Sequence, residues 1–232
     1  MDNIHSRKGF TIIELVLAIG FVSVLLLAVS VLTIRVGNMY EKGATIRSIN
    51  QVGREVIDVM RRDFSQANTD VDFVTTTNGE VQIYSICLGD VSYVANSSKA
   101  LQAYEDTTTL SLATVDSADE PIRLARVVDS SRAYCGDDRA TTLRAVDASA
   151  DELLTSASMR LAIHDMTVER VAQGSDQSLY RVTLVIGTNA KGTIDDNNRC
   201  RMFSSSPDDI KADFNYCSVA ELTTIMRTGG SL

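Results

Sequence analysis

RKGFTIIELVLAIGFVSVLLLAVSVLTIR occupies residues 7–35, and its reading decides what kind of protein the chain can be. Two bases and a glycine precede an apolar run that is interrupted by one acid, Glu14, and from Leu15 to Ile34 no residue carries a formal charge. At a helical rise of about 1.5 Å per residue, the uncharged run reaches about 30 Å, the thickness of a hydrocarbon core. The stretch therefore predicts a transmembrane helix. Arg7 and Lys8 stand before it and Arg35 after it. A short basic leader keeps the N-terminus cytoplasmic and exports the remainder. A secretory signal has a shorter apolar region, about 7 to 15 residues, closed by a small-residue cleavage site, and this run continues past any such point.

Glu14 is the anomaly. A lone carboxylate inside a membrane helix costs about 2.5 to 3.5 kcal/mol on insertion scales, so it must lie near the interface, be protonated or meet a cation. No base follows it until Arg35. In the bland reading Glu14 snorkels to the cytoplasmic headgroups and does nothing more. The functional reading comes from a resemblance: Lys8-Gly9-Phe10-Thr11-Ile12-Ile13-Glu14, followed by a long apolar helix, resembles the N-terminal signature of type IV pilins and of the pseudopilins of type II secretion. The resemblance implies that a prepilin peptidase cuts between Gly9 and Phe10 and methylates the new amino group of Phe10. It also implies that Glu14 pairs with the Phe10 ammonium of a neighbouring subunit as the helix leaves the bilayer for a filament. Assembly then delivers the counter-charge that a buried acid needs, and the pair sets the axial register of the subunits. The chain departs from many members of that family in having no proline between residues 10 and 66, so the helix would be straighter, or a bend would fall at Gly20, Gly37 or Gly43 instead.

Beyond Arg35 the pattern changes without a break. Met39, Ile46, Ile49, Val52, Val56, Val59, Met60 and Phe64 recur at helical spacing, and Arg47, Arg54, Glu55, Asp58, Arg61 and Arg62 fill other faces as a solvated surface. The expected organisation is a leader over 1–9, a membrane or filament-core helix over 10–35, its amphipathic continuation over 36–66 and a β-rich globular head over 67–232. Strands are expected over Val71–Thr77 and Glu80–Cys87, joined by Asn78-Gly79 as a type I′ turn, and over Thr109–Val115, Ile122–Val128, Arg160–Val171 and Tyr180–Gly187. The tail from Glu221 to Leu232 is not diagnostic. The fold class is α+β, a long N-terminal helix packed on an antiparallel sheet, which is also the pilin arrangement.

Four cysteines, Cys87, Cys135, Cys200 and Cys217, follow the membrane run, and export favours disulfides among them in one of three connectivities. Cys200 with Cys217 is favoured, because closing that loop is worth about 3 kcal/mol in the chain-entropy model, leaving Cys87 with Cys135. The first pair would resemble the C-terminal disulfide loop of many pilins. A zinc site is disfavoured by the lack of C-x-x-C and by His164 being the one exported histidine. His164 and Asp165 lie in an alternating strand that would turn them to opposite faces, and no catalytic motif accompanies them, so no enzyme activity and no cofactor are expected. Asp195-Asp196-Asn197-Asn198 lacks the ligand spacing of a calcium loop and reads as an Asx-rich turn. A formal net charge of -8 argues against nucleic acid as a direct partner.

These readings point to a filament subunit rather than a membrane-tethered binding domain, because a simple anchor needs neither Gly9-Phe10 nor Glu14. Residues 47–58 resemble minor pilins and J-type pseudopilins, which leaves a type IV pilus and a type II secretion system as alternatives. The expected partners are other pilin subunits, the prepilin peptidase, membrane lipid and an assembly platform. The expected place is the cytoplasmic membrane, spanned once with the head outside, and then an extracellular or envelope-spanning filament.

Overall fold

The computed structural model describes residues 11–67, 71–78, 81–106, 113–115, 121–136, 145–146, 150–155, 160–173, 177–189 and 217–229. Its first element, α1 (Ile12–Gln66), is an α-helix of 55 residues that passes Gly20, Gly37 and Gly43 without interruption. Two compact units share the chain, Met1–Glu41 and Lys42–Leu232.

In the first unit the large apolar side chains from Ile12 to Tyr40 are exposed all round the helix. A helix apolar on every side suits a lipid or protein surround rather than water. The hydroxyls within its uncharged run are already satisfied: Ser23, Ser30 and Thr33 each donate at 2.8 Å to the carbonyl four residues back, on Ile19, Leu26 and Val29. That removes the cost of carrying an unpaired donor into hydrocarbon.

The second unit is a two-sheet head. After α1 come β1 (Asp72–Asn78), β2 (Val81–Cys87), β3 (Val91–Asn96), α2 (Ser98–Asp106), β4 (Thr114–Val115), β5 (Ala125–Val128), β6 (Ala145–Val146), β7 (Asp151–Glu152), β8 (Leu161–Gln173), β9 (Ser178–Thr188) and β10 (Val219–Thr228). One antiparallel sheet has the order β1-β2-β3-β5-β7 and another the order β10-β9-β8, while β4 and β6 form a short parallel pair. Among the described residues a parallel bridge, Ser97 to Ile163, links the two larger sheets.

The helix positions 49, 52, 56, 60 and 64 place one apolar stripe on these sheets. Ile49, Val52, Val56, Met60 and Phe64 are buried with Ile86 and Tyr93 of the first sheet, Leu124 just before β5, and Tyr180, Leu184 and Ile186 of the second sheet. Alternate strand residues point the other way: Ile83, Cys87, Val94, Ala125 and Val127 pack with Ala100 and Leu101 of α2 and with Tyr134. Each fully buried large side chain contributes about 1.5 to 3 kcal/mol, so the stripe alone outweighs any single polar contact in the head. Gly53 lets α1 come this close, since a Cβ there would lie 2.1 Å from Leu222 Cδ1.

Three features differ from the sequence expectation. Asn78 pairs with Val81, so the β1–β2 connection closes one residue later than an Asn78-Gly79 turn would. In this register Phe73 stands opposite Ile86, and its ring lies parallel to that of Tyr84 at 6.4 Å. The tail is a full strand: β10 pairs with β9 from Val219 to Thr228 and turns Leu222 and Met226 inward. Finally, β3 and α2 occupy a stretch for which no element was expected. Ser92 and Asn96 interrupt the apolar pattern of β3, yet both are buried and bonded, Ser92 to Asp129 and Asn96 to the backbone of Ala113 and Ile122.

One polar cluster sits inside the helix–sheet interface. Asp63 of α1 accepts two bonds from Arg126 of β5, from Nε at 2.7 Å and from Nη2 at 3.0 Å, and a third from the Tyr93 hydroxyl of β3. Burial, and then the Asp63 carboxylate beside it, push the Tyr93 phenol well above its ordinary range, so it stays a donor. Removing one partner of a buried ion pair strands the other. Asp63→Ala should therefore lower the unfolding free energy by about 3 kcal/mol, and Asp63→Leu combined with Arg126→Met should cost clearly less than Asp63→Ala alone. Denaturant unfolding of the three proteins checks it; equal losses would contradict the pairing.

Candidate functional site

The N-terminal end of α1 is where the exceptional residue of the apolar run is placed. Thr11 is the residue before the helix and Glu14 lies in its first turn. The Glu14 carboxylate accepts from the Thr11 backbone N–H at 3.0 Å and from the Thr11 hydroxyl at 2.9 Å. In return, the Glu14 backbone N–H donates to Thr11 Oγ1 at 3.3 Å. This reciprocal pattern is a capping box, in which two of the unpaired N–H groups at a helix start find partners. The carboxylate also lies at the positive end of the helix dipole. Glu14 thus has a local role that neither snorkelling nor an intersubunit ion pair describes, and the Thr-x-x-Glu spacing of residues 11–14 is the sequence signal for it.

Among the described residues nothing covers either side of Glu14. Ile12, Ile13, Leu15 and Val16 around Glu14 are exposed. The arrangement can therefore do two things in turn: hold its own helix start in the single chain, and offer a carboxylate to a cation brought from outside. Gly9 and Phe10, the expected cleavage and methylation positions, lie outside the described residues. No family model, no curated protein and no solved structure matches this chain.

The expected disulfide residues are distributed as follows. Cys87 at the end of β2 is bonded to Cys135. The segment that carries Cys135 is organised by Asp129, whose carboxylate accepts from Ser92 Oγ at 2.7 Å and from the backbone N–H groups of Ala133 at 2.9 Å and Tyr134 at 3.3 Å. Arg132, at φ 55°, turns that segment and pairs with Asp72 at 2.6 Å. Cys217 is also disulfide-bonded. Cys200 lies outside the described residues, as does Asp195–Asn198.

The buried ionisable groups of the head are held by structure. Glu152 accepts from the backbone N–H groups of Arg123, Leu124 and Leu154, and burial still raises its pKa. A cavity of about 300 Å³ is lined by Asp63, Gln66, Ala67 and the turn from Leu88 to Val91, and its one buried carboxylate, Asp63, is already taken by Arg126 and Tyr93. His164 departs from simple alternation. The β8–β9 pairing steps from Ile163 opposite Ile186 to Asp165 opposite Val185, leaving His164 as the extra residue of a bulge. Its ring lies over Gly187, where a Cβ would meet Nε2 at 2.8 Å. Nε2 faces the Thr188 carbonyl at 3.2 Å, and Nδ1 is buried without a hydrogen-bond partner among the described residues. Asp165 turns instead to the backbone N–H of Met166 and to the neighbourhood of Tyr84. The two residues form no acid–base pair.

Burial lowers the His164 pKa to about 4, against about 6.5 in an unfolded chain. The unfolded state therefore binds the proton first as the pH falls, so this contribution to stability is complete above about pH 6.5 and is lost between there and about pH 4, by at most about 1.4 kcal/mol per pH unit. The unfolding midpoint of the detergent-solubilised protein should fall over that window, and His164→Gln should flatten the dependence. A variant with the wild-type slope would contradict it.

Proposed function

We propose that this chain is a structural subunit of a type IV pilin-like filament, a minor pilin, cut by prepilin peptidase between Gly9 and Phe10 and assembled through its N-terminal helix. The observation that carries the reading is the conjunction at one helix start: the Lys8-Gly9-Phe10-Thr11-Ile12-Ile13-Glu14 signature, an acid on the helix cap, and an apolar surface that is exposed on every side for the residues that follow. The long N-terminal helix and the antiparallel sheets support the same reading, because the pilin resemblance implies an α+β chain of that kind. An anchor alone would need only the apolar surface.

In this account the helix spans the membrane once with its N-terminus in the cytoplasm, and the head is exported. Cleavage creates an ammonium at Phe10, and methylation leaves it charged. The Glu14 carboxylate gives up water and lipid headgroups for the Phe10 ammonium of the next subunit, at a site whose surround is apolar, where an unpaired charge is costly and a paired one fixes position. The capping box keeps the carboxylate oriented until that partner arrives.

Two substitutions separate charge from capping. Glu14→Gln keeps a side chain that serves at the same capping position and removes the charge. Thr11→Ala removes the hydroxyl of the cap, at about 1 kcal/mol, and keeps the charge. Incorporation into fibres in the presence of wild-type subunits should be lost by at least about tenfold for Glu14→Gln, the equivalent of about 1.4 kcal/mol, and largely retained for Thr11→Ala. The reverse order would assign Glu14 to the cap alone and remove the ion pair from the account.

A further inference from the structure

We propose that the cavity at the C-terminal end of α1 is a binding site for a primary ammonium group, carried either by a small free amine or by a lysine side chain of another protein. The cavity measures about 300 Å³ and is lined by Asp63, Gln66 and Ala67 on one side and by the turn from Leu88 to Val91 on the other. That volume is at the lower end of small-ligand pockets and suits a short chain with one polar head. Both walls are tied down. Gly89, at φ 77°, supplies the positive φ of a two-residue hairpin turn with Asp90, and the Leu88 N–H donates to the Val91 carbonyl at 2.8 Å. The Asp90 carbonyl accepts from the Asp129 N–H at 2.8 Å, and the Ala67 carbonyl accepts from the Gly229 N–H at 3.0 Å. The cavity is therefore built before a ligand arrives.

Its surround asks for a single positive charge. α1 ends here, where a helix carries partial negative charge, and its last turn holds no basic residue. The Phe64 carbonyl accepts from the Ala67 N–H at 3.2 Å, while the carbonyls of Asp63, Ser65 and Gln66 have no partner among the described residues. Of the lining side chains, Gln66 and Asp90 are exposed, and Asp90 makes no ion pair among the described residues. Asp63 is buried, and the bonds from Arg126 and Tyr93 use three of the about four acceptor positions that a carboxylate has. Arg126 cancels the charge of Asp63, so Asp90 leaves the site with one net negative charge. A divalent metal ion would sit near Arg126 with too few carboxylates to balance it, whereas a monocation matches. The kind of monocation follows from geometry. Arg126 already grips the Asp63 carboxylate with Nε and Nη2, so a second planar guanidinium finds no edge to take two-handed. The acceptors that remain are single and separate, and they suit the separately directed donors of an ammonium. The site lies within the head unit, and its argument does not rest on the filament reading.

The test is amide NMR of the isotope-labelled full chain in neutral detergent, titrated with butylammonium chloride at an ionic strength held at about 0.15 M, with butan-1-ol and sodium chloride as controls. The amide signals of Gly89, Asp90 and Val91 should move saturably with butylammonium and with neither control. Two variants at exposed positions follow. Asp90→Asn keeps a turn-forming side chain and removes the charge, and it should weaken binding at least about tenfold. Gln66→Lys places a tethered ammonium in the last turn of α1, where a cation is favoured, so it should abolish the saturable shifts while melting no lower than the wild type. A capped tripeptide with a central lysine, and its norleucine counterpart, separate the two sources: a lysine peptide that binds more tightly than butylammonium assigns the site to a protein partner, and one that binds equally or less tightly assigns it to a free amine. Shifts that never saturate, equal shifts with butan-1-ol, or an affinity unchanged in either variant overturns the proposal. So does saturation of the same signals by calcium chloride at lower concentration than butylammonium, because the cavity would then be a metal site.

Discussion

Burial of the Ile49–Phe64 stripe of α1 is the interaction on which the head depends. Neither sheet covers itself: the first has five strands and the second three, and the residues they turn toward α1 join one core with the helix. Strand alternation then decides the second layer, because each residue between two core-facing ones must point to α2 and the segment around Tyr134. The Cys87–Cys135 bond ties that second layer to the end of β2. Inside the main core the Asp63–Arg126–Tyr93 cluster adds orientation more than energy, since apolar burial at five helix positions exceeds what one paired charge contributes.

The helix obeys two rules in one backbone. From Ile12 to Val36 its surface is apolar on every side, and its hydroxyls are turned back on its own carbonyls. From Thr45, which is buried, one side is core and the other is charged. The first rule makes Glu14 expensive anywhere except at the helix start, where Thr11 shares its proton donors with it. The proposed assembly uses that economy: an acid can wait on a cap because the same oxygen atoms can later take an ammonium.

Much of this was legible from residues alone, for physical reasons that differ from element to element. The 3.6-residue period carries α1 to Gln66, and alternation identifies β1, β2, β8 and β9. The two-sided burial of β3 removes alternation, and its Ser92 and Asn96 look like loop residues until Asp129 and the backbone of Ala113 and Ile122 are in place. β10 was hidden because Thr224 and Thr228 stand among its inward positions. The nine-residue α2 offers few apolar positions, and its signal is the cap, Ser97 Oγ accepting from the Ala100 N–H. At the candidate site the acid drew the reading to its charge, while the threonine three residues earlier carried the equally readable cap. The bulge at His164 follows from pairing across β9 and has no local signature.

The central claim is that this chain becomes a filament subunit by gaining a new N-terminus four residues before Glu14. Intact-mass analysis with N-terminal sequencing of the protein recovered from producing cells tests it most directly. The account predicts a chain that lacks Met1–Gly9 and begins with N-methylated Phe10. A mature chain that still carries Met1, or one that begins within the apolar run near Ser30, would contradict it.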